Sequence, residues 1–420
     1  MVLFLFLAVT GIFVYICQQR INQPNAQIKL SIKRSQSAMP AKFSPIIHSS
    51  PISKDLIVHS IYFDNRARNG HDNTSVFLIV ANRTIFDSNW IVGCGVGNVK
   101  ALEFIVHFTG EGIAMHRYLG EQAFPYEEFF VECYDLPVVN GSQGFVMYKT
   151  AKNSPVYVTE SEHPLFIPAP RVQPSGEYNF TVVTCTKVHD KGATWLPEFI
   201  QYQRTIGVDH VHVNFLDTFI RDGGLKAHLA HPYLAQAIIE GFVSFTVWTE
   251  WYNVHEIYLH SEILRKLDCV YRFRGTYDYA FPIDTDDFFT PQIPGKKNLK
   301  DYILKWCYAS FIGSCEFVWI MYFPGACGLV DNGFPDDGNV TKKLRSYVSW
   351  DHQNWKTLHL TSAIIDATFH GARCEWCLMP GYKIVTVPFP MAYIAHLRMH
   401  SNPSNFLGFI ECKLSYYLQI

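Results

Sequence analysis

The chain has 420 residues, of which 48% are hydrophobic and 17% are charged, and this balance excludes a disordered or low-complexity protein. Its formal net charge is -2 and its pI is about 6.8, so it lacks the excess of basic residues that a nucleic-acid-binding protein needs. The sequence contains a single long apolar run, which excludes a membrane protein with several spans.

This apolar run covers residues 2–17 and is at the short limit for a membrane span. Gln18, Gln19 and Arg20 follow it, where a cleavable signal peptide would end in small residues. We therefore expect an uncleaved signal anchor over residues 1–17 and a polar stem over residues 18–51, with a cleaved signal as the alternative. The protein would then be a single-pass protein of the Golgi or another secretory membrane, with its folded part in the lumen.

Cysteines and glycosylation motifs agree with that compartment. Ten cysteines follow the apolar run, an even number that suits disulfides in an oxidising lumen. Cys374 and Cys377 have the spacing of half a zinc site, but a second such pair is missing, so a disulfide role is expected. Acceptor motifs for N-glycosylation begin at Asn73, Asn82, Asn140, Asn179 and Asn339.

Residues 52–170 are predicted to form a β-rich N-terminal domain, because short apolar runs alternate there with glycine, asparagine and other turn residues. A proline-rich joint over residues 164–170 ends this part of the chain.

Residues 178–412 are predicted to form a second domain of the α/β class. Leu196, Phe199, Ile200 and Gln203 have helical spacing, and Gly207 is a typical helix stop. Strand–helix–strand alternation predicts a mainly parallel sheet with crossover helices, and such sheets bind ligands beyond the carboxyl ends of their strands. The predicted strands cover residues 180–186, 210–215 and 242–248, and the predicted helices cover residues 196–206 and 225–241.

The sequence feature that most strongly indicates a functional site is a cluster of three aspartates at the end of an apolar strand, Asp284, Asp286 and Asp287. Like charges this close repel one another, and a divalent cation would compensate them. In an extended chain Asp284 and Asp286 would point to the same side and could share one ion, with Asp287 turned away. Carboxylates suit Mn²⁺ or Mg²⁺, which keep open positions for substrate phosphates. An acidic surface turn without an ion is the alternative.

These residues and several others resemble glycosyltransferase family 92, whose members have the GT-A fold. The similar segments occur in the order that the family shows. They are Ser60-Ile61-Tyr62-Phe63-Asp64-Asn65-Arg66, Pro125-Tyr126-Glu127-Glu128-Phe129, Trp195-Leu196-Pro197-Glu198-Phe199-Ile200, Gly207-Val208-Asp209-His210-Val211, Asp268-Cys269, Asp284-Thr285-Asp286-Asp287-Phe288, Ala367-Thr368-Phe369-His370 and Ala395-His396-Leu397-Arg398.

The resemblance implies a GT-A, Rossmann-like catalytic domain preceded by a smaller β-rich domain. It also implies transfer of galactose from UDP-galactose to a glycan acceptor on glycoproteins, with inversion. A cation bridging Asp284, Asp286 and the diphosphate would stabilise the leaving group. A late histidine often completes such a metal site, and His370 and His396 match family positions.

The remaining site residues are assigned on weaker grounds. Inversion requires a base on the acceptor face, for which Asp287 and Glu316 are candidates. Thr186 and Asp190 follow the first strand and Asp217 follows the second, where they could bind uridine or ribose. Arg398, with His396, could instead contact phosphate. The nucleotide-binding set is thus Thr186, Asp190, Asp217, Asp284 and Arg398.

Departures from the family pattern motivate a second hypothesis. Pro282 precedes the acidic residues, Asp287 stands where the family usually has Glu, and Leu397 replaces Tyr. A catalytically inactive glycan-binding or scaffolding protein with the same fold is therefore the alternative. A glycoside hydrolase using Asp284 and Asp287 is disfavoured, because its two carboxylates must face each other across a bond at roughly 5 to 10 Å.

Overall fold

The computed structural model describes much of the chain from residue 50 onward, and every structural statement below concerns the described residues. These are residues 50–53, 56–67, 69–82, 91–96, 99–101, 103–108, 125–136, 143–149, 157–166, 169–174, 176–188, 196–216, 231–248, 262–322, 355–366, 377–388 and 391–397. The predicted anchor, and the predicted stem up to residue 49, lie outside them. None of the helices in these ranges is long and apolar enough to cross a membrane.

The N-terminal part of the chain forms a nine-stranded sheet that is antiparallel except where β2 pairs with β9. The strand order is β5-β4-β8-β9-β2-β3-β7-β6, with β1 paired to β2. Its strands are β1 (Ser50–Ser53), β2 (Leu56–Asp64), β3 (Thr74–Asn82), β4 (Ile91–Val96), β5 (Val99–Lys100), β6 (Phe104–Phe108), β7 (Tyr126–Tyr134), β8 (Gln143–Lys149) and β9 (Tyr157–Phe166).

Side chains on both faces of β2 and β3 are buried, so this sheet has apolar contacts on each side. On one face Val58, Phe77 and Ile79 belong to a core that also contains the disulfide between Cys94 and Cys133. The other face packs against the C-terminal half of the molecule.

The C-terminal part forms a second nine-stranded sheet with the order β12-β11-β10-β13-β16-β15-β18-β14, with β17 paired to β15. Its strands are β10 (Val182–Val188), β11 (His210–Leu216), β12 (Val243–Trp248), β13 (Tyr279–Pro282), β14 (Asp287–Pro291), β15 (Ile312–Tyr322), β16 (Trp355–Leu360), β17 (Lys383–Thr386) and β18 (Ala392–Leu397). Its helices are α1 (Leu196–Thr205), α2 (Pro232–Ile239), α3 (Glu262–Phe273) and the short α4 (Leu299–Tyr302), which continues into a π-helical turn (Ile303–Cys307).

This sheet confirms the predicted α/β class and its mainly parallel character. The pairings among β10, β11, β12 and β13 are all parallel, and α1, α2 and α3 follow β10, β11 and β12 in turn. Strands β16 and β14 run antiparallel to their neighbours. The carboxyl ends of the parallel strands therefore lie along one edge, where the acidic residues follow β13.

The predicted helices are present, with small differences in their ends. Helix α1 buries Leu196, Phe199, Ile200 and Gln203, the residues whose spacing predicted it, and Gly207 follows it with φ +82°. Helix α2 begins at Pro232 because proline fits the first helical position, where its missing N–H would have no partner. Residues 225–230 of the predicted second helix lie outside the described residues.

The two halves of the molecule meet at a buried interface around α3. Leu264, Leu267 and Tyr271 of this helix pack with Tyr62 and Leu78 of the first sheet. The contact between the two halves is therefore apolar at its centre. The exact domain limits of 52–170 and 178–412 stay a prediction.

Disulfides in the second half join Cys185 to Cys269 and Cys307 to Cys315, and Cys377 is also disulfide-bonded. The disulfide role predicted for Cys377 is thus confirmed. The first of these bonds ties α3 to β10 beneath the edge where the acidic residues lie.

Candidate active site

The acidic residues lie in a tight turn between β13 and β14. The backbone N–H of Asp287 donates to the carbonyl oxygen of Asp284 at 3.0 Å, which closes the turn. Pro282 is tolerated at the end of β13 because the pairing with β16 involves only Tyr279 and Ala280. The prediction assumed an extended chain here, with Asp287 turned away from Asp284. In the turn, Asp284 and Asp287 instead share the ammonium group of Lys356, and Asp287 lies beside Asp286 and His396.

Asp287 lies at the centre of the site, and its side chain is fully buried. Its Oδ1 accepts hydrogen bonds from Trp319 Nε1 and His396 Nδ1, both at 2.9 Å. Its Oδ2 accepts from the backbone N–H of Asp284 at 3.1 Å and from Lys356 Nζ at 2.8 Å. The carboxylate thus uses all of its acceptor positions within the protein. This arrangement favours a role for Asp287 in holding the site over the predicted role of base.

Lys356 brings a positive charge to the acidic turn from β16. Its Nζ donates to Asp284 Oδ2 at 2.7 Å and pairs with Asp287 Oδ2 at 2.8 Å, and the lysine side chain is buried. A charge buried in this way requires such partners, because its desolvation is costly. Lys356 therefore supplies part of the compensation that we expected from a cation alone.

His396 joins the turn from β18, where it pairs with Asp287 in the antiparallel register of β14 and β18. Its Nδ1 is hydrogen-bonded to Asp287 and lies 3.5 Å from Asp286 Oδ1, and its ring packs against Trp319 with centroids 4.5 Å apart. A carboxylate that holds one ring nitrogen of histidine leaves the other free to bind a metal ion.

Asp286, Asp287 and His396 form a group whose potential ligand atoms lie within 4.8 Å of one another. The Asp286 side chain is 38% exposed, against 0% for Asp287. Asp286 and His396 are therefore the members that can reach an ion without losing a buried hydrogen bond. Carboxylate and imidazole donors fit Mn²⁺, so this group is compatible with the expected metal.

The electrostatics of the group follow from burial and from the neighbouring charges. Burial alone would raise the pKa of the Asp284 carboxyl, but Lys356 lowers it well below the ordinary value. Lys356 and His396 likewise lower the pKa of Asp287 against the effect of its burial. Asp286 differs, because burial and the two neighbouring carboxylates raise its pKa against the effect of His396. Burial would lower the pKa of His396, but its contacts with Asp287 and Asp286 raise it.

Two other predicted residues that the structure describes, Glu316 and Thr186, are not part of this group. Glu316 is buried on β15 and, because strand side chains alternate, points to the opposite face from Trp319. Thr186 is buried near the end of β10, and its hydroxyl has no hydrogen-bond partner among the described residues. The roles proposed for both stay predictions. Four further predicted residues lie outside the described residues, namely Asp190, Asp217, His370 and Arg398.

Two residues of the site were missed by sequence reasoning, Lys356 and Trp319. Lys356 lies in the run Trp355-Lys356-Thr357-Leu358-His359-Leu360, which forms a largely buried strand. A lysine within such a strand must have a charged partner, and this is the signal that could have identified it. Trp319 has no comparable signal, because an apolar strand accommodates a tryptophan for packing alone.

In a comparison with known proteins, a family model matches the part of the chain that contains the acidic turn. Residues 180–318 match the family model described as Glycosyltransferase family 92, which confirms the resemblance over the segment that carries Asp284, Asp286 and Asp287. The matched segment makes up about a third of the chain. No curated protein gives a significant match to the chain.

Among solved structures, one match is described as the apo structure of WbbM, a bifunctional glycosyltransferase. It is 15% identical in sequence, with a TM-score of 0.21, and the match covers 47% of this chain and 35% of that chain. The chain thus spans about a third of the length of that protein.

Proposed function

We propose that the protein is a metal-dependent, inverting glycosyltransferase that moves galactose from UDP-galactose to a glycan acceptor on glycoproteins. The observation that carries the proposal is the group of Asp286, Asp287 and His396. It lies after a parallel strand, at the edge of the sheet where α/β proteins bind ligands, and the segment matched to glycosyltransferase family 92 contains both of its carboxylates.

The residues that would hold Mn²⁺ or Mg²⁺ are Asp286 and His396, with Asp284 as the further ligand predicted from the sequence. Such an ion, when bound, supplies positive charge where UDP departs. The protein itself orients the ligands: Asp287 fixes the ring of His396 through Nδ1, and Trp319 fixes Asp287. Ligands held by buried hydrogen bonds need little reorganisation when the substrate binds.

The disulfides support a secretory compartment for this reaction, because such bonds persist in oxidising environments. We place the protein in the Golgi or another secretory membrane, anchored through its N-terminal segment, with the nucleotide sugar and a glycoprotein as its partners. Nucleic acid is not among the proposed partners.

A catalytically inactive glycan binder is the second candidate, and one observation favours it. Lys356 and His396 compensate the acidic turn within the protein, so the turn does not depend on an ion for its stability. UDP binding without turnover would distinguish this candidate from the transferase.

The first test measures transfer and hydrolysis of a panel of UDP-sugars by the full-length protein in Mn²⁺ and in chelator. We expect turnover of UDP-galactose that Asp286→Ala reduces by at least about 100-fold, since a ligand of the ion is lost. Asp72→Ala is the matched control, because Asp72 is exposed in the bend before β3. Folded protein that binds no UDP-sugar would exclude the transferase, and unchanged turnover in Asp286→Ala would exclude the proposed site.

A further inference from the structure

Lys356 is a buried residue of the site to which the proposed transfer reaction assigns no role. It is a buried lysine whose Nζ lies 2.7 Å from Asp284 Oδ2 and 2.8 Å from Asp287 Oδ2. Both carboxylates come from the turn after β13, whereas the lysine comes from β16, which runs antiparallel beside β13. The ammonium group thus fastens the acidic turn to a neighbouring strand.

We infer that Lys356 is a positioning residue that acts as a built-in cation, withholding Asp284 and Asp287 from metal binding and limiting the site to one divalent ion on Asp286 and His396. This inference rests on the proposed metal-dependent function and specifies which residues of that site can bind the ion.

The hydrogen bonds of the two carboxylates support this division of roles. Both oxygens of Asp287 are fully used by Trp319, His396, Lys356 and the backbone of Asp284. One oxygen of Asp284 is held by Lys356. An ion could bind Asp287 only by displacing a buried hydrogen bond, which is costly. An ion on the other oxygen of Asp284 would lie close to the ammonium group of Lys356, and the two like charges would repel each other. Asp286 forms no bond with Lys356 in the described structure and is the most exposed of the three.

Charge balance gives a second, independent argument. The ammonium group of Lys356 contacts two of the three carboxylates of the turn and offsets one of their negative charges. Without Lys356 the turn would carry three negative charges in a partly buried place, and a cation would be bound more tightly because a repelling like charge is gone.

The test compares Mn²⁺ binding and thermal unfolding of the full-length protein with those of three lysine variants. Lys356→Met removes the charge and keeps the length of the side chain, whereas Lys356→Arg keeps the charge. Lys300→Met is the matched control, because Lys300 is an equally buried lysine that pairs with Asp209 at 2.7 Å, away from the acidic turn. Electron paramagnetic resonance of Mn²⁺ gives affinity and stoichiometry, and calorimetry gives the melting midpoint with and without the ion.

We expect one Mn²⁺ per wild-type chain and about tenfold or more tighter binding by Lys356→Met, because a repelling charge has been removed. The melting midpoint of Lys356→Met should rise more with Mn²⁺ than that of the wild type. Lys300→Met should lose stability with an unchanged response to Mn²⁺, and Lys356→Arg should bind the ion as the wild type does. Equal Mn²⁺ affinity in the wild type and Lys356→Met would overturn the inference.

Asp284→Asn provides a second measurement if Lys356→Met does not fold. We expect Asp284→Asn to keep one Mn²⁺ per chain and Asp286→Asn to lose it. Loss of Mn²⁺ binding in Asp284→Asn would overturn the inference while leaving the proposed transferase intact. If no variant binds Mn²⁺, the inference is overturned, and turnover of UDP-sugars in chelator then decides the proposed function separately.

Discussion

Asp287 shows how a single buried carboxylate can hold several side chains of a site through its hydrogen bonds. Its four partners come from β18, β15, β16 and the turn itself. Each partner donates a proton, so the ionised form is favoured even though the side chain is buried. A base must instead have a free lone pair that reaches an acceptor hydroxyl, which Asp287 does not have in this arrangement.

The substitution Asp287→Asn separates these two roles. Asparagine has the same shape, but its NH₂ group would take the place of one carboxylate oxygen and would face hydrogen-bond donors that it cannot accept from. Lys356 would also lose one of its negatively charged partners. We expect a loss of about 3 kcal/mol in the free energy of unfolding, the scale measured when one partner of a buried ion pair is removed. Urea unfolding followed by circular dichroism measures this loss.

Asp72→Ala is the control for Asp287→Asn and should change the free energy of unfolding by less than about 0.5 kcal/mol, as an exposed substitution does. The opposite result, unchanged stability together with loss of turnover, would restore Asp287 as the candidate base.

At the scale of the element, the turn after α1 depends on Gly207. This residue has φ +82°, and a Cβ at this position would meet the side chain of Asn298. Asn298 caps α4 by accepting a hydrogen bond from the backbone N–H of Lys300 at 2.9 Å. A larger residue at position 207 would therefore strain its own backbone and displace the cap of a second helix.

We expect Gly207→Ala to lower the free energy of unfolding by about 2 to 3 kcal/mol, combining a positive-φ cost of about 1 to 2 kcal/mol with the loss of a helix cap worth about 1 kcal/mol. Gly241→Ala is the matched control, because Gly241 has φ +75° and nothing within 4 Å of a Cβ. The difference between the two variants in urea unfolding isolates the contact with Asn298. Equal decreases in the free energy of unfolding of the two variants would show that the clash with Asn298 does not destabilise the protein.

The pair β11–β12 contains a buried polar ladder. His210 Nε2 lies 2.7 Å from Ser244 Oγ, whose other contact is His212 Nδ1 at 2.8 Å. Burial lowers the pKa of His210 to about 4 and that of His212 well below its ordinary value. Both rings are therefore neutral in the folded protein near pH 7.

This ladder predicts loss of stability in acid. The unfolded chain takes up protons at these histidines below pH of about 6.5, whereas the folded protein resists them until pH of about 4. The contribution of these histidines to the free energy of unfolding is therefore fully present above pH of about 6.5. It decreases as the pH falls from there toward 4. Asp286 and His396 have raised pKa values, so their contribution to stability increases as the pH falls. The pH dependence of the free energy of unfolding of the wild type alone therefore does not isolate the effect of the buried histidines.

The diagnostic quantity is the change caused by His210→Asn. Between pH 7.5 and 5.0 the free energy of unfolding of the wild type should fall by about 2 kcal/mol more than that of this variant. This difference is the contribution of one histidine over that range. Urea unfolding at the two pH values measures it, and parallel losses in both proteins would contradict the lowered pKa of His210.

The elements that the sequence predicted correctly are those with local signals. Helix α1 followed from the spacing of its buried residues, and the strands β10, β11 and β12 followed from apolar runs between turns. The acidic group was also found, because three aspartates after an apolar strand are conspicuous. Its geometry was not predicted, because the turn is fixed by Lys356, Trp319 and His396, which lie 32 to 109 residues from their partners in it.

At the scale of the whole molecule, the two sheets are joined by buried ion pairs around an apolar centre. Arg274 donates to Asp64 Oδ2 at 2.6 Å and to the carbonyl oxygens of Thr361 and Ile364 at 3.1 and 2.8 Å. Nearby, Ser60 and Tyr62 donate to Asp268 of α3. The first sheet thus covers the helix and the loop that support the acidic edge, and separating the halves would expose paired charges and apolar residues together.

We therefore expect the wild type to unfold in a single transition, because both halves lose the same core around α3. Arg274→Met should lower the free energy of unfolding by about 3 to 5 kcal/mol, since it leaves Asp64 buried with less compensation and frees two carbonyl groups. Arg204→Met is the control, because Arg204 forms an exposed pair with Glu240 and should cost less than about 1 kcal/mol. Calorimetry and urea unfolding measure both losses. Two separate transitions in the wild type would show instead that the first sheet folds independently and is not needed to support the site.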